Sequence, residues 1–137
     1  MSTEDTAAAD EARRNRLKMV LVVRNDLNMR KGKVGAQTGH AVQELIIDRS
    51  GPKPVLRDDP FVLDWLAVDY PKPVLRVDSE AELLDVYARA QAAGLRAHLV
   101  QDLGHTEFHG VPTYTAVGIG PAPSYLIDPV TGALKLL

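Results

Sequence analysis

Residues 19–47 have the sequence MVLVVRNDLNMRKGKVGAQTGHAVQELII and contain the clearest strand and helix signals of the chain. Its first five residues are all apolar and three of them are valine, which is typical of a strand covered on both faces of a sheet. From residue 30 onward the period changes to that of a helix, with one face formed by Val34, Thr38, Ala41 and Leu45. A buried strand followed by an amphipathic helix predicts an α/β protein in which this strand is central.

The rest of the chain alternates helix and strand signals. Asp59-Pro60, a capping residue followed by proline, predicts a short helix through Trp65. Ser79 and Glu82 form a capping box that begins a helix, and Gly94 ends it. Further strands are predicted at 73–77, 97–101 and 113–119, and a short helix after residue 121 precedes 134–137. The prediction is a three-layer single domain with a mixed four-stranded sheet flanked by helices.

The chain length and composition are those of one ordinary domain. It has 137 residues, of which 45% are hydrophobic and 25% charged, so one hydrophobic core is expected. Residues 1–15 have no core-forming pattern. We predict that 1–15 are a flexible N-terminal tail or a short exposed helix, and that 16–137 form the domain.

The composition also limits the kind of protein. There is no cysteine, which excludes disulfides, thiol nucleophiles and cysteine metal sites. No apolar run approaches the roughly 18–20 residues that span a bilayer, and the N-terminus is acidic, so we expect a cytoplasmic protein with no membrane segment.

The net charge is −2, but four acidic residues lie in the first twelve, and without those four it becomes +2. Such a body is compatible with RNA binding through a local cationic patch.

Two lysines lie where the first strand passes into the helix. Lys31 and Lys33 stand beside the helix N-terminus, whose free N–H groups and positive dipole end attract phosphate or carboxylate. Gly32 between them permits close approach of a ligand to the backbone. Val34 occupies the position where a Walker phosphate loop has Ser or Thr, so that motif is excluded. The turn is predicted to bind anions.

A line of polar side chains follows the same helix along the rim of its apolar face. It consists of Lys33, Gln37, His40 and Glu44, which fall within about 60° of one another. Any one of them alone is most simply part of a solvated helix flank. The four together favour a functional site.

A second polar segment follows the third predicted strand. Asp102 comes directly after this strand, as Asn25 follows the first. Ligands of α/β sheets bind outside the carboxyl ends of parallel strands, so the two loops converge if these strands are parallel neighbours. The segment 102–106, DLGHT, is equally consistent with ordinary turn chemistry. We expect no metal site, because His105 and His109 lack ligand spacing set by regular structure.

Taken together, these segments resemble the type 2 peptidyl-tRNA hydrolase family of archaea and eukaryotes. Residues 21–27 and 29–41 resemble its first strand and helix, and 102–106 resembles its aspartate-glycine-threonine loop. The resemblance to the family's C-terminal end is carried by four segments, residues 118–123, 126–128, 130–132 and 134–137. The resemblance covers 18–137 and is weakest between 48 and 72.

The resemblance implies an enzyme that hydrolyses the ester joining a peptide to the 3′ end of tRNA. It implies no metal or other cofactor, and a homodimer as the assembly. By position it places in the site the catalytic residues Lys31, His40, Asp102 and Thr106 and the substrate-binding residues Lys33, Gln37 and Thr115.

Six of these seven residues, all except Thr115, receive a hypothetical role from the needs of ester hydrolysis. Asp102, alone or with His40, positions and deprotonates water, and Lys31 or the helix N-terminus stabilises the oxyanion. Lys33 meets phosphate. The ester is oriented by Gln37 and Thr106.

The sequence also departs from the family pattern. Thr38 stands where the family has cysteine, Gly35 and Gly39 stand where it has alanine or another small residue, and 71–73 lacks its glycine-glutamine. Two helix glycines cost stability, so they indicate close backbone packing or a bulkier ligand. Two alternatives stay open: a member repurposed for another acylated molecule, derived from aminoacyl-tRNA or small, and a non-catalytic module that binds RNA or protein.

Overall fold

The computed structural model describes residues 2–105 and 107–137. The helices are α1 (Thr3–Asn15), α2 (Lys31–Ile46), α3 (Pro60–Ala67), α4 (Glu80–Ala92) and α5 (Ser124–Thr131). The strands are β1 (Leu17–Arg24), β2 (Ile47–Asp48), β3 (Val55–Leu56), β4 (Val74–Val77), β5 (Ala97–Asp102), β6 (Thr113–Pro123) and β7 (Lys135–Leu136). A 3₁₀ turn, Asn25–Leu27, follows β1.

The main sheet is mixed and has the order β5-β6-β1-β4-β7, with β2 and β3 pairing separately. β1 is parallel to β4 and antiparallel to β6, which confirms its central position and the predicted fold class. The predicted count of four strands was one too low. The additional edge strand, β7, pairs only Leu136 with Leu75 and Lys135 with Arg76, and two residues are too few to show a strand period in sequence.

The loops after the first and third predicted strands, β1 and β5, were expected to converge if these strands are parallel neighbours. The two strands are not neighbours. β6 lies between them and is antiparallel to both. Two strands that are each antiparallel to a third run in the same direction, so the carboxyl ends of β1 and β5 still lie at one edge of the sheet. The loops that follow β1 and β5 therefore converge across one intervening strand.

Helices cover both faces of the sheet and divide the core into two clusters. Val20 and Val22 of β1 pack in the cluster that contains Leu83 of α4 and Ile127 of α5. The alternate β1 residues pack in the cluster that contains α2 and α3 residues; its members include Met19, Leu21, Val23, Ala41, Leu45 and Trp65. Because β1 is covered on both faces, it is apolar at every position of 19–23.

Two alternatives were predicted for the N-terminal segment, a flexible tail and a short exposed helix. The structure shows the helix, at Thr3–Asn15. α1 has no buried residue, and the Ser2 side chain caps it by accepting a hydrogen bond from the Asp5 N–H at 3.1 Å. Its first turn is acidic and its last turn basic, which complements the helix dipole. Among the residues that the structure describes, no helix is long and apolar enough to cross a membrane.

Candidate active site

The path from β1 to α2 positions the two lysines. Asn28 ends the 3₁₀ turn in a left-handed conformation, φ 51°, which asparagine tolerates better than most residues. Arg30 then precedes α2 without capping it through its side chain, so the first N–H groups of the helix remain available to a ligand. Lys31 and Lys33 are about 200° apart around the helix and therefore face different sides of its N-terminus.

Lys33 takes part in a polar network that joins α2 to β5 and β6. Its Nζ lies 2.5 Å from Asp102 Oδ2, and Gln37 Nε2 donates to the same oxygen at 3.3 Å. The Thr115 hydroxyl donates to Gln37 Oε1 at 2.6 Å, and the Gly104 N–H donates to Asp102 Oδ1 at 2.7 Å. We call Lys33, Gln37, Asp102 and Thr115 the Asp102 network. Lys33 and Gln37 lie one turn apart on α2, whereas Asp102 ends β5 and Thr115 lies on β6, so folding brings the three elements together.

Asp102 is held in its charged form. Burial raises the pKa of its carboxyl, but the hydrogen bonds from Lys33 and from the Gly104 N–H, with the Lys33 charge, lower the pKa below its ordinary value. The side chains of Asp102 and Lys33 are only 13% and 14% exposed. Asp102 is therefore a fixed carboxylate at neutral pH, with limited access to solvent.

On the other side of the α2 N-terminus lies a cavity of about 420 Å³, which we call the strand-end cavity. Four of its lining residues are apolar and four are polar: Val23, Met29, Val34 and Leu137, and Arg24, Asn25, Asn28 and Lys31. Lys31 is exposed, and no hydrogen bond or ion pair links it to another residue of the described chain. Its ammonium group is thus available to an anionic ligand at the mouth of the cavity.

Arg24 forms a rigid part of the cavity wall. Its Nε and Nη2 donate to the two carboxylate oxygens of Asp26 at 3.2 and 2.7 Å, and Nη1 donates to the Tyr114 carbonyl at 3.2 Å. The Arg24 side chain is 11% exposed, and its hydrogen bonds lower the pKa of Asp26. The sequence analysis missed Arg24, although the spacing Arg-x-Asp was a signal. Leu137 was missed as well, because nothing in the sequence shows that the residue after β7 lines this cavity.

The structure brings together four of the seven predicted site residues, those of the Asp102 network. Lys31 lies at the strand-end cavity instead. His40 is exposed and makes no contact with Asp102 among the described residues. It lies near His98, whose pKa is lowered by burial, while the Glu44 charge raises it and the Arg49 and His40 charges lower it. The seventh residue, Thr106, lies outside the described residues.

The expected explanation of the helix glycines by close packing is wrong. Among the described residues, and apart from the backbone of α2 itself and the adjacent residues, a Cβ atom at Gly35 or Gly39 would meet no atom within 4 Å. The close approach of α2 to the sheet occurs at Gly118 of β6, where a Cβ would lie 2.8 Å from Leu45 Cδ1 and 3.0 Å from Ala41 Cβ. The space that permits α2 to pack on the sheet is therefore provided by the strand and not by the helix.

Thr38, at the position of the family's cysteine, uses its hydroxyl within the helix. Its Oγ1 lies 3.0 Å from the carbonyl oxygens of both Val34 and Gly35 and donates to them. This is the usual behaviour of threonine inside a helix. The hydroxyl is therefore engaged with the backbone and is not presented as a nucleophile.

Comparisons with known proteins agree with this architecture and identify the family. The family model described as peptidyl-tRNA hydrolase PTH2 matches residues 17–137. A peptidyl-tRNA hydrolase of Methanocaldococcus jannaschii is 45% identical over 88% of this chain and 100% of its own length. The mitochondrial peptidyl-tRNA hydrolase 2 of Bos taurus is 43% identical over 87% of this chain and 63% of its own length.

The chain belongs to the peptidyl-tRNA hydrolase PTH2 family. The family and the enzyme class that the sequence resemblance indicated are both confirmed. A solved protein of unknown function from Agrobacterium tumefaciens strain C58 has a TM-score of 0.55 at 14% identity, over 88% of this chain and 97% of that one. This last likeness concerns the fold alone.

Proposed function

We propose that this chain hydrolyses the ester bond of peptidyl-tRNA and releases the peptide and free tRNA. Membership of the family supports the substrate class. The observation that carries the proposal is the pairing of Lys33 with Asp102 at 2.5 Å beside the N-terminus of α2. In the proposal this carboxylate serves as the base, and the free N–H groups of α2 together with Lys31, on the other side of the helix end, stabilise the oxyanion.

Asp102 activates the water in this mechanism. Its pKa is low, so the carboxylate is charged at neutral pH and accepts the water proton as the water oxygen attacks the ester carbonyl carbon. Gln37 and Lys33 hold Oδ2 of the carboxylate, and Thr115 holds Gln37, so one orientation is maintained. The proton returns to the ribose 3′ oxygen when the bond between the carbonyl carbon and that oxygen breaks.

Positive groups at the α2 N-terminus stabilise the oxyanion that forms on the carbonyl. The first N–H groups of α2 lack a side-chain cap, and the Lys31 ammonium stands beside them. Thr106 orients the ester in this proposal. In the free protein Lys33 forms an ion pair with Asp102. We expect Lys33 to contact a phosphate only in the complex with tRNA.

The proposal extends to the assembly and the compartment, a homodimer in the cytoplasm. An exposed apolar surface at the end of α3 supports the homodimer: Val68 is 72% and Tyr70 51% exposed. The absence of cysteine from the sequence suits a reducing compartment. Light scattering on the wild type and on Val68→Asp tests the assembly, and a wild type of one-chain mass would contradict it.

Three substrates test the activity and separate it from its rivals. The chain is incubated with peptidyl-tRNA, with aminoacyl-tRNA and with a simple acyl ester, and tRNA or acid release is measured. Preferential cleavage of peptidyl-tRNA supports the proposal. Preference for either other substrate indicates the repurposed enzyme, and tRNA binding without any cleavage indicates the non-catalytic module.

A further inference from the structure

No residue of the Asp102 network is among the lining residues of the strand-end cavity, although both lie beside the N-terminus of α2. The cavity is lined on one side by Lys31, whereas Lys33 faces the network. A volume of about 420 Å³ with mixed apolar and polar walls falls in the range of roughly 300–1,000 Å³ for small-molecule sites. An ester bound at the α2 N-terminus would therefore have one of its two substituents in this cavity.

The two substituents of the ester differ in a way that decides which one a shaped cavity can recognise. Peptidyl-tRNA carries peptides of every sequence, so a walled cavity with fixed polar groups would favour some peptides and exclude others. The other substituent is the same in all tRNAs, because each ends in adenosine. A site of defined shape is therefore suited to the terminal nucleoside.

Arg24 provides a surface suited to a nucleobase. Each of its three guanidinium nitrogens already donates a hydrogen bond within the protein, to Asp26 or to the Tyr114 carbonyl. These bonds engage three of the five N–H groups and fix the plane of the guanidinium, so that a ligand in the cavity can meet its planar face. Bases of single-stranded RNA ends commonly stack on arginine planes in this way.

Two amide side chains on the same wall suit the edge of adenine. Asn25 and Asn28 both line the cavity, and neither side chain makes a hydrogen bond to another residue of the described chain. A carboxamide offers one acceptor and two donors, which match the N6 amino group and N7 of adenine in a bidentate pair. Val23, Met29 and Leu137 supply apolar surface for the remaining part of the base.

We propose that the strand-end cavity binds the terminal adenosine of tRNA, with the base on Arg24 and its edge against Asn25 or Asn28. This assignment rests on the proposed hydrolysis of peptidyl-tRNA. It makes Arg24, Asn25 and Asn28 substrate-binding residues that act on the invariant end of the substrate. The peptide then extends toward the Asp102 network.

Nucleoside binding tests the site without any turnover. Adenosine, cytidine and an N-acetyl amino acid amide are titrated into the isotope-labelled chain, and amide NMR shifts are followed. We expect adenosine to shift residues 24–31 and to bind more tightly than cytidine. The double variant Asn25→Ala/Asn28→Ala should weaken adenosine binding about tenfold, while the matched control Asn15→Ala at the end of α1 should bind as the wild type does.

A kinetic comparison completes the test and keeps it separate from the proposed function. Peptidyl-tRNA ending in adenosine is compared with peptidyl-tRNA ending in cytidine, and we expect the change to raise KM in the wild type but not in the double variant. Hydrolysis with the same KM for both ends, or peptide-amide shifts at 24–31 without adenosine shifts, would overturn the adenosine site and leave the hydrolase intact. Adenosine binding without hydrolysis would instead overturn the proposed function.

Discussion

At the scale of single residues, the pairing of Asp102 with Lys33 is the feature that sequence reasoning reached only in part. Both residues are predicted to lie near the site because Asp102 follows the third predicted strand, 97–101, and Lys33 follows the first. The sequence does not pair them, because a contact across 69 sequence positions depends on the strand order. The role of His40 beside Asp102 was not found in the described contacts, since helix periodicity gives a direction around the axis but not a distance to another element.

Substitution of Asp102 by asparagine should weaken the fold in a pH-dependent way. The variant keeps the shape of the side chain but leaves Lys33 without its anion, and we expect a loss of about 1–2 kcal/mol because both side chains keep some solvent exposure. The folded pKa of Asp102 is lowered, so the stabilisation is present above the unfolded value of about 3.9 and disappears as the pH falls through the folded value.

Chemical unfolding of wild type and Asp102→Asn from pH 2 to 8 measures this difference. It should be constant between about pH 5 and 8 and shrink below about pH 4. Asp85→Asn is a suitable control, since Asp85 forms an exposed i,i+4 pair with Arg89 on α4 and should change stability by about 0.5 kcal/mol or less. A difference that grows as the solution becomes acidic would contradict the assignment of the lowered pKa to this pair.

At the scale of elements, sequence signals located the helix ends well and the sheet edges poorly. Ser79 accepts from the Glu82 N–H at 3.1 Å and Asp59 from the Phe61 N–H at 2.9 Å, as their capping patterns predicted. Caps are local, so the sequence contains all the atoms involved. β7 and the position of β6 between β1 and β5 depend on partners distant in sequence, and no local pattern encodes them.

Glycine substitutions on α2 and on β6 should have opposite effects. Gly35→Ala and Gly39→Ala place a Cβ in open space within a helix, so each should stabilise the protein by about 0.5–1 kcal/mol. Gly118→Ala places a Cβ against Leu45 and Ala41 and should destabilise it by about 1–3 kcal/mol. Thermal unfolding measures all three. Destabilisation by the helix substitutions would mean that α2 packs differently from the structure described.

At the scale of the whole molecule, the N-terminal helix lies at the surface, where it contacts α5. α1 contributes no buried residue, and the body without the first acidic residues has a positive balance. The size, the class and the single core were predictable from composition and periodicity, because these depend on average properties of the chain. The meeting of the two loops was predictable, but the pairing of their side chains was not, since it requires the folded sheet.

Removal of residues 1–15 should leave a folded and active domain. No residue of α1 is itself buried, although the helix contacts α5, so we expect the free energy of unfolding to change by less than about 1 kcal/mol. Arg16, whose carbonyl accepts from Ser124, stays in the truncated chain. Calorimetry and turnover on the same preparation measure the result, and aggregation or loss of the cooperative transition would contradict the boundary at residue 16.

Added salt should weaken the binding of peptidyl-tRNA more than it slows the chemical step. Contacts between protein cations and tRNA phosphates release counterions, so KM for peptidyl-tRNA should rise several-fold between about 50 and 200 mM salt, with kcat little changed. Because the net charge is only −2 and the cations are local, few phosphates should be involved. An unchanged KM across this range would count against direct phosphate contacts.

The most direct test of the central claim is kcat/KM for peptidyl-tRNA measured on the wild type, Asp102→Asn, Lys31→Ala and Lys53→Ala. Asp102 and Lys31 occupy the two sides of the α2 N-terminus, while Lys53 is exposed in the loop between β2 and β3. We predict measurable release of tRNA by the wild type, a loss of about 100-fold or more in the first two variants, and a rate within about twofold of wild type for Lys53→Ala. Near wild-type turnover in both Asp102→Asn and Lys31→Ala would contradict the account.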